Sequence, residues 1–404
     1  MSMKKPLLFL AHRIPYPPNK GEKIRSFNFL RHLSERHEIH LAALIDDQRD
    51  LAFREQLRPW VKECCFDFIN PRLKKIVSAI APVLREPITV RYFYSRRLQR
   101  EIDRMISRLD FEYVLCSSSP MAEYLFRAKS SARLFQQAST SMDLIDVDSY
   151  KWRQYAQSAN WPLRWVYRRE AENLLAYERR IAERFNHILL TSENEKRLFL
   201  EGVPGAGSVI AVPNGVDLEF FSPLAFSAEP GAAPKIVFTG AMDYFPNVDG
   251  VCWFVAEVLP RLRARIPGLC FEIVGSRPAP AVQALAKEAG VSVTGFVDDI
   301  RPYLAEAAVC VVPLRIARGI QNKVLEAMAM GRPVVATPQA LSGIAARIGE
   351  DVYRAASAEE FAEKVIALVE NRELAASLGR AGRKCVEENY AWAKNLKSLD
   401  ALLA

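Results

Sequence analysis

The chain has 404 residues, half of them apolar, and carries 55 Lys and Arg against 47 Asp and Glu for a net charge of +8. A chain of this length can bury a large core and is expected to divide into two domains, and no apolar run approaches the ~20 residues of a membrane-spanning helix. Seven scattered cysteines with no C-x-x-C pair argue against a zinc site or a disulfide framework and point to a reducing, cytoplasmic setting.

The charge is uneven. Residues 1–208 hold 35 basic against 25 acidic residues (+10), whereas residues 209–404 hold 20 against 22 (−2). The first half is therefore expected to meet an anionic partner, such as a membrane surface, a lipid phosphate or nucleic acid. Nucleic acid is the poorest fit of the three, because no recognised binding motif is present.

In chain order, the apolar run at 7–11 follows Lys4 and Lys5 and is too short for a signal-peptide core, so it predicts a first strand. A Pro-rich loop containing Gly21 leads into a helix with the stripe Ile24, Phe27, Leu30 and Leu33, and then into the strand EIHLAALI. YVLCSS, ARLFQQAS and ILLTS read as further strands, the last of them closing the first sheet. Two segments, 70–108 and 151–180, mix basic residues with Trp, Tyr and Phe. They fit either the plane of an anionic membrane or helices that pack one face and solvate the other.

A second start is expected near 209, where VIAVPNGVD runs into a loop holding Ser222, Pro223, Gly231 and Pro234. From Lys235 the alternation resumes with KIVFTG, CFEIVG, VSVTG, VCVVPL and PVVAT, each separated by helical stretches. The pattern predicts an α/β chain with two Rossmann-like sheets. The boundaries are 1–208, 209–385 and a C-terminal helix, 386–404, crossing back to the first domain. In such sheets ligands sit at the carboxyl ends of strands.

The loop after VCVVPL opens a short helix at 322, where Asn322 is a candidate N-cap and Gly331 with Pro333 ends it. Lys323 and Glu326 share one face at i,i+3 spacing. They fit either a solvated ion pair or an anion site built on the first-turn N–H groups. The five histidines all lie in the first half, and only His12 falls in a strand-end loop, as an active-site contact or a structural group. No dinucleotide fingerprint, P-loop, nucleophile elbow or H-E-x-x-H is present.

SENEKRLF with VPNGVDLEFF, then IVFTGAMDYFPN, VTGFVDDIRPYLAEAAVCVVPL and KVLEAMAMGRPVVAT, resembles glycosyltransferase family 4 in order and spacing across most of 188–340. Over 1–187 the likeness rests on HRIPYPPNKGEKIRSFNFLRHL. The resemblance implies a GT-B fold, with two Rossmann-like domains facing across a cleft, and a retaining, metal-independent sugar transfer that needs no cofactor. The nucleotide-sugar donor would lie mostly on the second domain. Glu326 matches the carboxylate on the ribose, while Lys323 and the amides around Gly319 and Ile320 face the diphosphate. Gly295, Phe296 and Val297 match the turn at the nucleobase, and Gly240 and Gly21 mark close backbone approach to the donor.

Two departures stand out. Arg318 occupies the position of the first of two family glutamates, so it either forks onto the diphosphate or marks a lost donor site. AMDYFPN replaces a basic pair after Gly240. Asp143 and Asp146 are candidates for touching the transferred sugar or the acceptor hydroxyl, with helix capping as the competing role. The triplet Asp146-Val147-Asp148 resembles a metal-binding D-x-D, but nothing else fits that fold and no metal is expected. The sequence also resembles the bacterial exopolysaccharide, PEP-CTERM-associated sugar transferases, which implies acceptors that are glycans or polyprenyl-diphosphate-linked chains. Peripheral attachment to the inner face of the cytoplasmic membrane follows as an expectation. An epimerase of the same fold and a non-catalytic nucleotide-sugar binder are the alternatives.

Overall fold

The structure, a computed structural model, describes residues 4–19, 21–69, 86–225, 233–317 and 319–402. Arg318 and residues 70–85 of the first basic, aromatic segment lie outside them. The chain forms two compact units, 1–213 with 396–404, and 214–395.

The first unit is built on a parallel sheet of β1 (Lys5–Ala11), β2 (His37–Ile45), β3 (Glu63–Phe68), β4 (Tyr113–Ser117), β5 (Ser139–Ile145), β6 (His187–Leu190) and β7 (Ser208–Ala211). Their order across the sheet is β3-β2-β1-β4-β5-β6-β7. Central strands of a parallel sheet are covered on both faces, which is why β1 reads as unbroken apolar sequence. Residues 7–11 are fully buried.

Three expectations change here. ARLFQQAS is not a strand; Ser131–Gln137 is helical and the strand begins at Ser139. ILLTS does not close the sheet, because β7, drawn from the stretch read as the start of the second domain, pairs with β6 at His187↔Ser208. Short apolar runs look alike as helix or strand, and a neighbouring edge decides between them. The division consequently falls after residue 213, five residues later than expected from the sequence.

The second unit holds β8 (Lys235–Thr239), β9 (Cys270–Val274), β10 (Val291–Val293), β11 (Val309–Val312), β12 (Val334–Ala336) and β13 (Tyr353–Arg354), all parallel in the order β10-β9-β8-β11-β12-β13. Phe254 packs tilted against Phe271 at 4.8 Å between ring centroids and edge-on against Phe361 at 5.6 Å. Burying such a ring contributes about 3 kcal/mol.

The helix Arg372–Asn389 belongs wholly to this unit, and the chain joins the first unit only at Leu396, ten residues later than the expected 386. Val386 and Tyr390 are buried in the second core, which holds that helix in place. Within the first unit, Asp400 then accepts from His32 and Arg36 at 2.8 and 2.9 Å.

Gly275, just beyond β9, cannot be anything larger. A Cβ there would sit 1.7 Å from the Gly240 carbonyl oxygen, which is backbone and has no room to yield. Gly275→Ala is expected to cost about 3 kcal/mol in the unfolding transition of this unit. Gly268→Ala, where φ is +84° but no atom lies within 4 Å, should cost about 1 kcal/mol. Equal losses in denaturant melts of the two variants would show that the close approach is not what constrains position 275.

Candidate functional site

Each sheet reverses its strand order at one point, between β1 and β4 in the first unit and between β8 and β11 in the second. Ligands of open parallel sheets bind beyond the carboxyl ends of strands at such a point. In the second unit these ends deliver Gly240, after β8, and the loop 313–321, after β11.

That loop turns through Gly319 at φ +60°, a left-handed conformation costly for any other residue type, and tucks Ile320 into the core. It enters the helix Asn322–Ala329. The expected cap is not used: Gln321 is the N-cap and its side chain makes no capping bond, and Asn322 instead accepts from Asn214 at 3.3 Å. The far end of the helix is firmly closed. Arg332 N donates to Ala327 O and Gly331 N to Met328 O, which is the Schellman pattern. Arg383 also donates to Ala329 O at 2.6 Å, placing a cation at the negative end of the helix.

Lys323 therefore has a fixed base. Its amine donates to Asn247 Oδ1 at 2.6 Å and lies 4.5 Å from the Phe238 ring centroid. It sits 3.0 Å from where a Cβ on Gly240 would be, so a side chain there would push against it. Asn247 Nδ2 in turn donates to Ala241 O at 2.8 Å, which ties the amine to the loop after β8. Asn247 is the residue that sequence reasoning missed; nothing in the sequence marked this amide, in the first turn of the helix Phe245–Trp253, as a partner of Lys323.

Glu326 acts on Lys323 through charge rather than a hydrogen bond, so the solvated ion pair is not what forms. Both residues keep part of their surface at the loop mouth. The packing around their head groups nonetheless removes enough water that Lys323 is lowered to about 7 and Glu326 raised to about 7, each partly opposed by the other's charge. A cation and a carboxylate held at that cost beside open backbone suit a ligand with an anionic group next to hydroxyls.

Beyond β10, Gly295 turns at φ +72° and leaves Phe296 71% exposed, while Val297 packs on the core. Gly275 N bonds Thr294 Oγ1 at 3.3 Å, so this turn is joined through the Gly275 contact to Gly240.

In the first unit the expected residues part company. Gly21 opens the helix Gly21–Ser34 on an exposed position. Asp143 is fully buried: Arg25 Nε and Nη2 donate to its two oxygens at 2.8–3.0 Å, and Arg25 is fully buried too. Its carboxylate neutralises a buried guanidinium and turns no face to a substrate. Asp146 is half-buried at the strand edge and accepts from Thr191 Oγ1 at 3.1 Å. Neither aspartate caps the helix Asp148–Ser158, whose N-cap is Val147. The two oxygen-bearing ends of the D-x-D go separate ways, since Asp148 accepts from Ser119 Oγ at 2.8 Å. Among the described residues no group of three or more His, Cys, Asp or Glu is placed to hold a metal ion.

The same strand ends carry two strained positions, Ser118 at φ +77° and Ile145 at φ +71°. A β-branched residue in that region is an outlier of the kind that collects at functional sites. Beside them, beyond β1, His12 has a buried Nε2 with no hydrogen-bond partner among the described residues. Burial and the charge of Arg13 lower its pKa to about 3, so it is a neutral imidazole.

Residues 233–371 match the model of the family Glycosyl transferases group 1. Among solved structures, sucrose-phosphate synthase of Thermosynechococcus elongatus aligns over 99% of this chain and 98% of its own, with a TM-score of 0.71 at 18% identity. Anabaena Alr3699/HepE in complex with UDP-glucose aligns over 98% and 99%, with a TM-score of 0.70 at 14% identity. The fold is GT-B. A curated relative, the GDP-mannose-dependent alpha-(1-6)-phosphatidylinositol monomannoside mannosyltransferase of Mycobacterium tuberculosis, is 26% identical over a 240-residue alignment that covers 53% of this chain. The match spans 60% of that relative's length. The Lys323–Glu326 helix of this GT-B chain lies inside the segment matched by the family model.

Proposed function

We propose that the chain is a glycosyltransferase that moves a sugar from a nucleotide-sugar donor to a hydroxyl of a glycan or lipid-linked acceptor, with retention at the transferred carbon. The observation that carries this reading is the pairing of Lys323 with Glu326 at the switch point of the second sheet, within the matched family segment. Glu326 takes the ribose hydroxyls, Lys323 and the amides of Gly319 and Ile320 take the diphosphate, and Phe296 lies against the base. Negative charge grows on the diphosphate as the sugar leaves, and a cation fixed there stabilises that change. Asp146 and the neutral His12 are the proposed acceptor-side contacts of the first unit. Bacterial exopolysaccharide assembly, with acceptors that include polyprenyl-diphosphate-linked glycans, is the proposed setting, in the cytoplasm. The +10 charge of residues 1–208 supports an anionic acceptor.

The test is incubation of the full chain with UDP-, GDP- and ADP-sugars, with and without glycan acceptors. Acceptor-dependent release of nucleotide supports transfer. An epimerised sugar, or binding with no turnover across the panel, overturns it in favour of an epimerase or a binding protein.

Donor affinity should also be greatest near pH 7. Above that, free Lys323 loses its proton and a diphosphate must restore it on binding, so affinity falls as pH rises. Below it, Glu326 is protonated and cannot accept from both hydroxyls, so affinity falls as pH drops. Each limb approaches about tenfold per pH unit. Calorimetry with UDP and GDP between pH 6 and 8.5 reads both limbs, and Glu326→Gln should remove the acid one. A flat profile would contradict the assignment of both groups.

A further inference from the structure

The first unit carries a helical hairpin of Asp148–Ser158 and Leu163–Arg184 whose tip is out of keeping with the rest of its surface. Residues 161–165 are all exposed, and three are large and apolar: Trp161 at 84%, Leu163 at 53% and Trp165 at 54%. Packing within the unit leaves half or more of each side chain uncovered, with the Arg169 guanidinium 5.9 Å from the Trp165 ring centroid.

The hairpin is rigid below that tip. Trp152 contacts Tyr167 and Tyr155 at 5.3 and 5.8 Å between ring centroids. Buried Glu170 anchors the second helix by accepting from Ile88 N, Thr89 N and Thr89 Oγ1 at 2.6, 2.9 and 2.7 Å. The apolar side chains are thus carried on a packed support.

The charge around them has one sign. Residues 149–169 contain five Lys and Arg and no Asp or Glu. Arg153, Arg164 and Arg168 are exposed there. Arg168 shares its charge with Glu172 at 3.2 Å, while Arg164 bonds Ala159 O through Nε at 2.9 Å. Exposed tryptophans flanked by arginines match the interface of an anionic bilayer, where indole rings lie at headgroup depth and guanidinium groups meet phosphates. A symmetric contact between two copies of this tip would instead oppose like charges.

We propose that the tip at 160–165 seats the first unit on an anionic lipid surface, with Trp161, Leu163 and Trp165 in the headgroup layer and Arg153, Arg164 and Arg168 on lipid phosphates. The attachment is peripheral, and among the described residues no helix is long and apolar enough to cross a membrane.

Co-sedimentation of the full chain with phosphatidylglycerol-containing vesicles tests it. Binding should be strong at low salt, weaken as salt rises and nearly vanish on pure phosphatidylcholine. Trp161→Ser with Trp165→Ser should weaken it about tenfold or more, as should Arg164→Glu with Arg168→Glu. Melting temperature should be unchanged in both, because these side chains are exposed. The idea is overturned if the wild type ignores anionic vesicles, binds neutral ones equally well, or loses nothing in either double variant. Concentration-dependent dimerisation abolished by the tryptophan changes would reassign the patch to a second copy, and retention on an oligonucleotide without vesicle binding would reassign it to nucleic acid. The readout needs no donor, so it fails or succeeds independently of sugar transfer.

Discussion

Lys323→Ala is expected to lower turnover by about a hundredfold to a thousandfold while leaving the fold intact. The amine is held by Asn247 at 2.6 Å beside the backbone of Gly240, where a diphosphate would gain charge as the sugar departs. Its removal takes away an interaction that matters most in the transition state, so the loss should appear chiefly in kcat. Glu326→Ala should act differently, weakening donor binding about tenfold to a hundredfold by deleting charge-assisted bonds to the ribose. The stability signs are also distinctive. Burial lowers Lys323 from 10.5 to about 7, so the unfolded chain binds the proton more tightly and the native state is penalised most at pH 7 and below. Stability should therefore rise with pH from about 7 towards 10.5 in the wild type, and Lys323→Ala should be no less stable at pH 6. Wild-type turnover in this variant would remove Lys323 from the site. A melting temperature several degrees lower would make it a structural group instead.

Arg25→Met should cost the first unit about 3–5 kcal/mol. Neither Arg25 nor Asp143 has any exposed surface. Arg25 also donates to Val212 O at 2.7 Å and lies 4.5 Å from the Phe29 ring, so it links the helix Gly21–Ser34, β5 and the segment after β7. Deleting the cation strands a carboxylate in the core, which is far worse than removing both. Arg25→Met combined with Asp143→Leu should recover much of the loss, and a double-mutant cycle on the unfolding of this unit measures the coupling. If Asp143→Asn kept wild-type stability yet abolished transfer, Asp143 would return to the chemistry.

That pair also shows where sequence reading stops. The stripe Ile24, Phe27, Leu30 and Leu33 gave no sign of where Lys23 and Arg25 would lie. Both are buried, because their partners Asp50 and Asp143 lie 27 and 118 residues further on. Periodicity weighs hydrophobicity and carries no information about a counter-charge so distant in the chain. The same limit applies to β7: its four residues gave no local sign of which sheet they would join. Asn247 was legible as a residue but not as a ligand of Lys323, 76 positions away.

The sequence by itself determined the alternation of strand and helix, the two parallel sheets, and the glycine-bearing loop that delivers Lys323 and Glu326. These depend on local pattern and on the obligatory crossovers of parallel strands, which a chain reads out a few residues at a time. Only the tertiary structure decided that Asp143 is spent on Arg25, that Asn247 holds Lys323, and that burial moves Lys323 and Glu326 towards about 7. Such outcomes depend on which distant groups share a low-dielectric site and how much water is expelled between them, and neither exists until the chain has closed on itself.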